Sequence, residues 1–266
     1  MMKDITVGQF IPGDTLLYRL DPRTKIGATL LFTLALFCTS SLLSYIAVCA
    51  WLAAALFSSG LRLRLIFRGL KGFLGLICAT ALFSALLTPG TPWIQWEWIS
   101  VSREGMRLGV EIAARFVLLI AGTSLLTYTT SPFRLLDGIA YLLRPLRRLG
   151  VPAHELAMMM SVALRFLPIM TEEARKIMNA QMARGADFTS GNPWRRGQDF
   201  LPLVVPLLLS SWRRAGELSV AMDARCYNGG EGRTRWRELR LAAADVWVLA
   251  GVAVLTCLIL GLRLAL

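Results

Sequence analysis

The run IGATLLFTLALFCTSSLLSYIAVCAWLAAALFSSGL, residues 26–61, contains no charged side chain in its 36 residues. A helix needs about 20 mostly apolar residues to cross a bilayer, because backbone polar groups cannot stay unpaired in hydrocarbon. The run is therefore long enough for two short spans, and the cluster Thr39-Ser40-Ser41 suits a tight turn between them. The whole chain is 55% apolar, with a mean hydropathy of +0.56. Because these values are typical of membrane proteins, we predict an all-α integral membrane protein.

Three more apolar runs lie further along the chain. The third span is predicted within Gly72–Trp96 and should end near Pro89, because proline lacks a backbone donor. The fourth span is predicted from Arg107 to Tyr128 and the last from Val246 to Leu262. The pattern therefore predicts about five transmembrane helices.

The positions of the basic residues predict the orientation, because Lys and Arg near span ends are retained on the cytoplasmic side. They precede the first span and fill the second loop, whereas the first loop carries no charge. These basic residues are Arg19, Arg23, Lys25, Arg62, Arg64, Arg68 and Lys71. The N-terminus is therefore predicted to be cytoplasmic and, after five spans, the C-terminus to lie outside. The third loop carries Trp93, Trp96 and Trp98, whose rings favour the membrane boundary, so we expect it on the outer surface.

Residues 129–241 differ in kind, with 17 basic and 10 acidic side chains. Apolar residues recur there at helical spacing, which predicts a cytoplasmic domain of about three long amphipathic helices. One helix is predicted from Pro152 to Arg184, with a bend at Pro168, and another from Pro202 to Tyr227. The chain is thus divided into transmembrane helices 1–4 in residues 1–128, this domain in residues 129–241, and a C-terminal transmembrane helix in residues 242–266. In such a protein the net charge of +12 marks cytoplasmic loops and not a nucleic-acid surface.

Two stretches of this domain, residues 173–185 and 214–226, match at a constant offset of 41 residues. The identical pairs are Ala174/Ala215, Ala180/Ala221, Ala183/Ala224 and Arg184/Arg225. Both stretches place Ala-Arg at the end of a long helix, just before residues that break helices. An arginine there can compensate the carbonyl ends of its own helix, or it can grip a carboxylate on a neighbouring protein with two bonds. Two similar ends favour two similar receptors, although simple capping remains the alternative.

These residues resemble a known family. Residues 165–188, together with residues 221–227, resemble the two signature helices of the transmembrane T component of energy-coupling factor (ECF) transporters. Residues 8–25 look like the opening of the shared-module version of that subunit. In that family two Ala-Arg-Gly motifs end coupling helices that insert into grooves on two ATPase subunits. The resemblance therefore implies that the chain docks ATPases through Ala183, Arg184, Gly185, Ala224, Arg225 and Cys226. Cys226 departs from the family pattern, in which glycine is common at this position.

The resemblance also implies a function. The chain would be the non-catalytic energy-coupling subunit of an ABC-type importer for vitamins or other micronutrients in the prokaryotic cell membrane. It would transmit ATP-driven motion from two ABC ATPase subunits, the A and A′ components, to a substrate-binding membrane S component. It would need no cofactor of its own, because the partner subunits bind ATP and Mg. The alternative is the permease subunit of a conventional ABC transporter, which typically offers one coupling loop and not two.

Charged and metal-ligating residues elsewhere give few other candidates. Glu111 and Arg115 stand four residues apart in the fourth span, where we predict that they neutralise each other, with an ion path as the alternative. The single histidine, His154, and five cysteines without C-x-x-C spacing predict no metal site. No P-loop, nucleophile-elbow or zinc-protease motif occurs, which argues against an enzyme.

Overall fold

The computed structural model describes residues 10–39, 41–89, 91–96, 99–150, 152–186, 201–229 and 241–265. The chain divides into two compact units. The larger unit includes the described residues of Gly8–Gly138 and Leu239–Leu266, and the smaller unit includes those of Ile139–Glu238. Gly138, at the end of the first segment of the larger unit, packs closely on the first span. A Cβ at Gly138 would lie 3.0 Å from Ile26 Cδ1.

The charge-free run of residues 26–61 forms two helices, as predicted. After the short helix α1 (Leu16–Arg19), helix α2 covers Pro22–Cys38 and helix α3 covers Leu42–Ser59. The Thr39 hydroxyl donates to the carbonyl of Leu36 at 2.6 Å and so ends α2 at the expected turn. At its other end the Asp21 carboxylate accepts from the backbone of Arg23, and Pro22 occupies the first turn of α2, where a missing backbone donor costs nothing.

The next helices of the larger unit depart from the prediction in one respect. Helix α5 (Leu74–Leu87) ends before Pro89, as expected, but a separate helix α4 (Leu63–Lys71) precedes it and is bent from it by 62°. The basic residues of this segment predicted a loop. Its spacing of apolar and basic residues nevertheless has helical period, so the signal was present in a stretch too short to be scanned as a span.

The third loop contains a short β-hairpin, which the predicted all-α fold class did not include. Strands β1 (Pro92–Trp96) and β2 (Ile99–Ser102) pair antiparallel, with Trp96 opposite Ile99. The side chains of Trp93 and Trp96, and the whole of Trp98, lie outside the described residues, so their placement at the membrane boundary stays a prediction. All other regular structure in the described part of the chain is helical, and the all-α fold class is confirmed.

Helix α6 (Arg103–Thr129) contains the predicted fourth span and packs most closely against α5. Gly105 and Gly109 lie one turn apart and face the α5 backbone, since Cβ atoms there would lie 2.7 Å from the carbonyl of Ser84 and 2.8 Å from that of Ala81. Small residues at this spacing let membrane helices approach closely. Helices α5 and α6 therefore pack through close backbone contact.

The smaller unit and the last span complete the chain. Helix α7 (Pro132–Leu142) and a 3-10 turn (Arg144–Leu149) lead into helix α8 (Ala153–Ala183), which continues through Pro168. Helices α9 (Leu201–Ala224) and α10 (Ala243–Ala265) follow. By length and apolarity, α3, α6, α8 and α10 could cross a membrane, as could the bent pair α4–α5. Helix α8 is the least apolar of the four, and its charged sequence predicted a cytoplasmic position. Helix α2 was predicted to span and has 17 residues.

The core of the larger unit joins the first and last spans. The almost fully buried side chains come from α2, α3 and α10, and they are Phe32, Ala35, Leu36, Val48, Val252 and Ile259. At one end of this core the buried Asp245 carboxylate accepts hydrogen bonds from the backbone N–H groups of Asp21 and Ala242, both at 2.8 Å. Nearby, the Lys25 ammonium donates to the carbonyl of Thr129 at 3.0 Å, at the end of α6. These bonds tie three helix ends together.

Candidate functional site

The predicted docking residues lie at the ends of α8 and α9, in the smaller unit. Helix α8 ends at Ala183, and the backbone N–H groups of Gly185 and Ala186 donate to the carbonyls of Met182 and Gln181, both at 3.0 Å. Gly185 takes a φ of +89°, in the left-handed region that glycine adopts without strain. This is a Schellman turn, in which backbone amides satisfy the last carbonyls of the helix.

Helix α9 ends with the same set of bonds. After Ala224, the N–H groups of Cys226 and Tyr227 donate to the carbonyls of Asp223 and Met222, at 2.9 and 3.0 Å. Cys226 takes the position that Gly185 holds in the first end, with a φ of +54°. It is the one non-glycine residue with positive φ in the described part of the chain. The second end therefore keeps the turn geometry despite the missing glycine, at the cost of some backbone strain.

Replacing Cys226 with Gly should relieve that strain. Because glycine adopts positive φ freely, we expect the last turn of α9 to gain roughly 0.5–1 kcal/mol, which corresponds to amide hydrogen exchange slowed about two- to fivefold at the Tyr227 amide. Gly185→Ala is the matched control at the other end and should speed exchange there, since it introduces a Cβ at φ +89°. Unchanged exchange in both variants would contradict the assigned turn geometry.

The arginines themselves are free to bind outside the chain. Arg184 and Arg225 are both exposed, and within the described residues neither guanidinium has an ion pair or hydrogen bond. The carbonyls that they could have capped already accept backbone N–H groups. Capping of their own helices therefore does not occupy these side chains, which weakens the alternative interpretation of the two motifs.

Helices α8 and α9 touch at positions that the repeat makes equivalent. The Ser211 hydroxyl donates to Met170 Sδ at 3.2 Å, and the Arg214 guanidinium lies 3.5 Å from the Glu173 carboxylate. Both pairs are 41 residues apart, which is the offset of the repeat. Arg184 lies 11 residues after Glu173, and Arg225 lies 11 residues after Arg214. In a helix each of these separations spans roughly 16 Å. The two helices thus present two arms of equal length.

The predicted pair of Glu111 and Arg115 is wrong. Glu111 instead pairs with Arg107, one turn earlier in α6, with Arg107 Nε 3.1 Å from the carboxylate. Arg115 donates to the carbonyl of Thr39 at 3.2 Å and to the Tyr45 hydroxyl at 3.3 Å. Arg107 and Arg115 each lie one helical turn from Glu111. Because Arg115 hydrogen-bonds residues at the turn between α2 and α3, Arg107 is the residue that pairs with Glu111. In the described residues no group of three His, Cys, Asp or Glu side chains could hold a metal ion.

Comparison with known proteins shows which family the chain is similar to. Residues 13–236 match the model of the CbiQ family, described as cobalt transport protein. Three similar proteins each carry the name energy-coupling factor transporter transmembrane protein EcfT. The protein from Clostridium kluyveri is 46% identical over 260 residues, which cover 97% of this chain and 96% of that protein. The protein from Heliobacterium modesticaldum is 48% identical over 261 residues, with 97% and 98% covered, and that from Bacillus subtilis is 42% identical over 264 residues, with 99% and 100% covered.

The fold and the matches define the class: this chain is a multi-helix membrane component of a transporter. More narrowly, it belongs to the family of energy-coupling factor transporter transmembrane proteins, the T components. Its similar proteins are named as transmembrane components and not as enzymes, and their name implies a complex with other subunits.

Proposed function

We propose that the chain couples two ABC ATPase subunits to a substrate-binding membrane S component, for import of vitamins or other micronutrients. One ATPase docks on Ala183-Arg184-Gly185 and the other on Ala224-Arg225-Cys226. The observation that carries the proposal is the pair of matched, exposed helix ends on arms of equal length. Two helix ends of similar geometry, at the same distance from the α8–α9 contact, fit two similar ATPase subunits.

The chemistry of the ends supports this role. A guanidinium at a helix terminus, whose carbonyls are already satisfied, keeps all its donors for a carboxylate on the partner. The small side chains of Ala183 and Ala224 let the partner surface approach the helix end. The ATPases bind ATP and Mg, and the chain needs no cofactor of its own.

Motion of a docked ATPase passes along its arm to the contact between α8 and α9. There the Ser211–Met170 and Arg214–Glu173 pairs join the two helices, so displacement of either end shifts the other. The other faces of these helices carry exposed apolar side chains, including Met159 and Met160, which suit a membrane partner such as the S component.

The orientation belongs to the same proposal. The N-terminus and the smaller unit lie on the cytoplasmic side of the prokaryotic cell membrane, where ATP is available, and the C-terminus lies outside. The basic residues before α2 and between α3 and α5 support this arrangement.

Purification of the intact complex from its native membrane, followed by identification and counting of its subunits, tests the proposal. We expect two ATPase subunits and one small membrane protein for each copy of this chain. A complex that held a second permease subunit in place of the S component would favour the conventional ABC permease.

A further inference from the structure

Helix α4 presents three distinct faces. Ile66 is buried, and the carbonyl of Leu65 accepts a hydrogen bond from the Tyr128 hydroxyl at 3.5 Å, so one face packs on α6. Leu63 and Phe67 leave 56% and 65% of their surface exposed on a second face. The third face carries Arg64, Arg68 and Lys71, all exposed, at the spacing that places them on one side of a helix. A helix with adjacent apolar and basic stripes is suited to the plane of a membrane interface.

A basic cavity of about 560 Å³ opens beside this helix. Its walls come from the segment of Ile11–Tyr18, the end of α3 and the start of α4. Arg62, Arg64 and Arg68 line it, together with the hydroxyl-bearing residues Thr15, Tyr18 and Ser59. No acidic side chain is among the described residues that line it. The cavity therefore offers donors and positive charge without a built-in counter-ion.

Acidic residues are absent from most of the surrounding sequence, and the exposed Asp14, in the segment that forms one wall, is not among the residues that line the cavity. From Arg23 to Trp96 the chain contains no Asp or Glu. Within the described residues, Arg62, Arg64, Arg68 and Lys71 make no ion pair. Several exposed cations this close together repel one another, so an anion at this place is stabilising. The apolar stripe of Leu63 and Phe67 beside them favours an anion that carries hydrocarbon.

We propose that α4 lies in the cytoplasmic interface of the bilayer and that the Arg62–Arg64–Arg68 cavity binds the phosphate of an anionic phospholipid headgroup. Leu63 and Phe67 insert among the acyl chains while the arginines hold the phosphate. Helix α4 is bent by 62° from α5, so it does not run parallel to the span that α5 forms. The site lies entirely in the larger unit and does not depend on ATPase docking.

The test uses the full-length chain, purified from vesicles of phosphatidylcholine with one-quarter phosphatidylglycerol and analysed by native mass spectrometry. The wild-type chain should retain one phosphatidylglycerol in preference to phosphatidylcholine. In the variant Arg64→Gln/Arg68→Gln, we expect retention weakened about thirtyfold, because each basic residue near an anionic surface contributes about a factor of five. The charge-retaining variant Arg64→Lys/Arg68→Lys should keep most of the preference and shows that the segment still folds.

The matched control is Arg103→Gln/Arg263→Gln, which removes two other exposed arginines of the larger unit and should leave lipid retention unchanged. Equal loss in this control, or full retention in Arg64→Gln/Arg68→Gln, would overturn the proposal. Addition of millimolar inorganic phosphate separates the two possible sources of the anion. Retained phosphatidylglycerol supports a lipid site, and displacement by free phosphate would instead assign the cavity to a soluble anion.

Discussion

The double variant Arg184→Ala/Arg225→Ala is expected to purify without ATPase subunits and to take up no substrate in vesicles. Each arginine has no partner within the described chain, so its donors are available to an ATPase carboxylate. Truncating one side of a buried interfacial charge pair typically costs about 2–5 kcal/mol, which weakens binding by roughly thirtyfold or more. Each single variant retains one intact end and should keep part of the binding and uptake.

The matched control for this experiment is Arg165→Ala/Arg213→Ala. These two exposed arginines lie on the same helices, α8 and α9, but away from their ends. The control removes the same charge and should assemble and transport normally. Normal ATPase co-purification and uptake in Arg184→Ala/Arg225→Ala would contradict the docking role.

Loss of the Asp245 carboxylate should clearly destabilise the larger unit. Asp245 is 1% exposed and accepts from two backbone N–H groups, one before α2 and one before α10. The N–H of Asp21 is buried, and leaving such a donor unpaired costs about 1–3 kcal/mol, whereas Ala242 is exposed and its N–H can bond water. Asp245→Ala should therefore lose about 1–3 kcal/mol. The measurement is the thermal unfolding midpoint of the purified chain in detergent.

Two further variants define the cause of that loss. Asp245→Asn keeps an oxygen that can accept one of the two bonds, so its midpoint should fall between those of the wild-type chain and Asp245→Ala. Asp14→Ala removes an exposed carboxylate of the same unit and should change the midpoint little. If Asp14→Ala lowered the midpoint as much as Asp245→Ala, the effect would come from net charge and not from the buried bonds.

The sequence predicted the features that depend on local patterns. The break at Thr39-Ser40-Ser41 and the end of α5 before Pro89 follow from turn chemistry, and the Ala-Arg helix ends follow from the repeat. Each of these signals lies within a few residues of the feature that it specifies.

Features decided by distant contacts could not be predicted in the same way. Glu111 had arginines one turn away on both sides, and the carbonyl of Thr39, 76 residues earlier than Arg115, decides between them. The bond from the Asp21 backbone to Asp245 joins residues 224 apart. Helix α4 was missed for another reason: its nine residues are too few for a span, and four basic residues in Arg62–Lys71 made the segment resemble a loop.

The central claim, that both helix ends are covered by ATPases, can be tested with the thiol of Cys226. This cysteine is exposed and lies at the docking end of α9. A second thiol at the α8 end comes from Gly185→Cys, which copies the residue that the α9 end already has. The measurement is the alkylation rate of the two thiols by a water-soluble maleimide, in the isolated chain and in the complete complex. We expect both thiols to react quickly in the isolated chain and to be protected at least tenfold in the complex. Equal rates at either end in the isolated chain and in the complex would contradict the account.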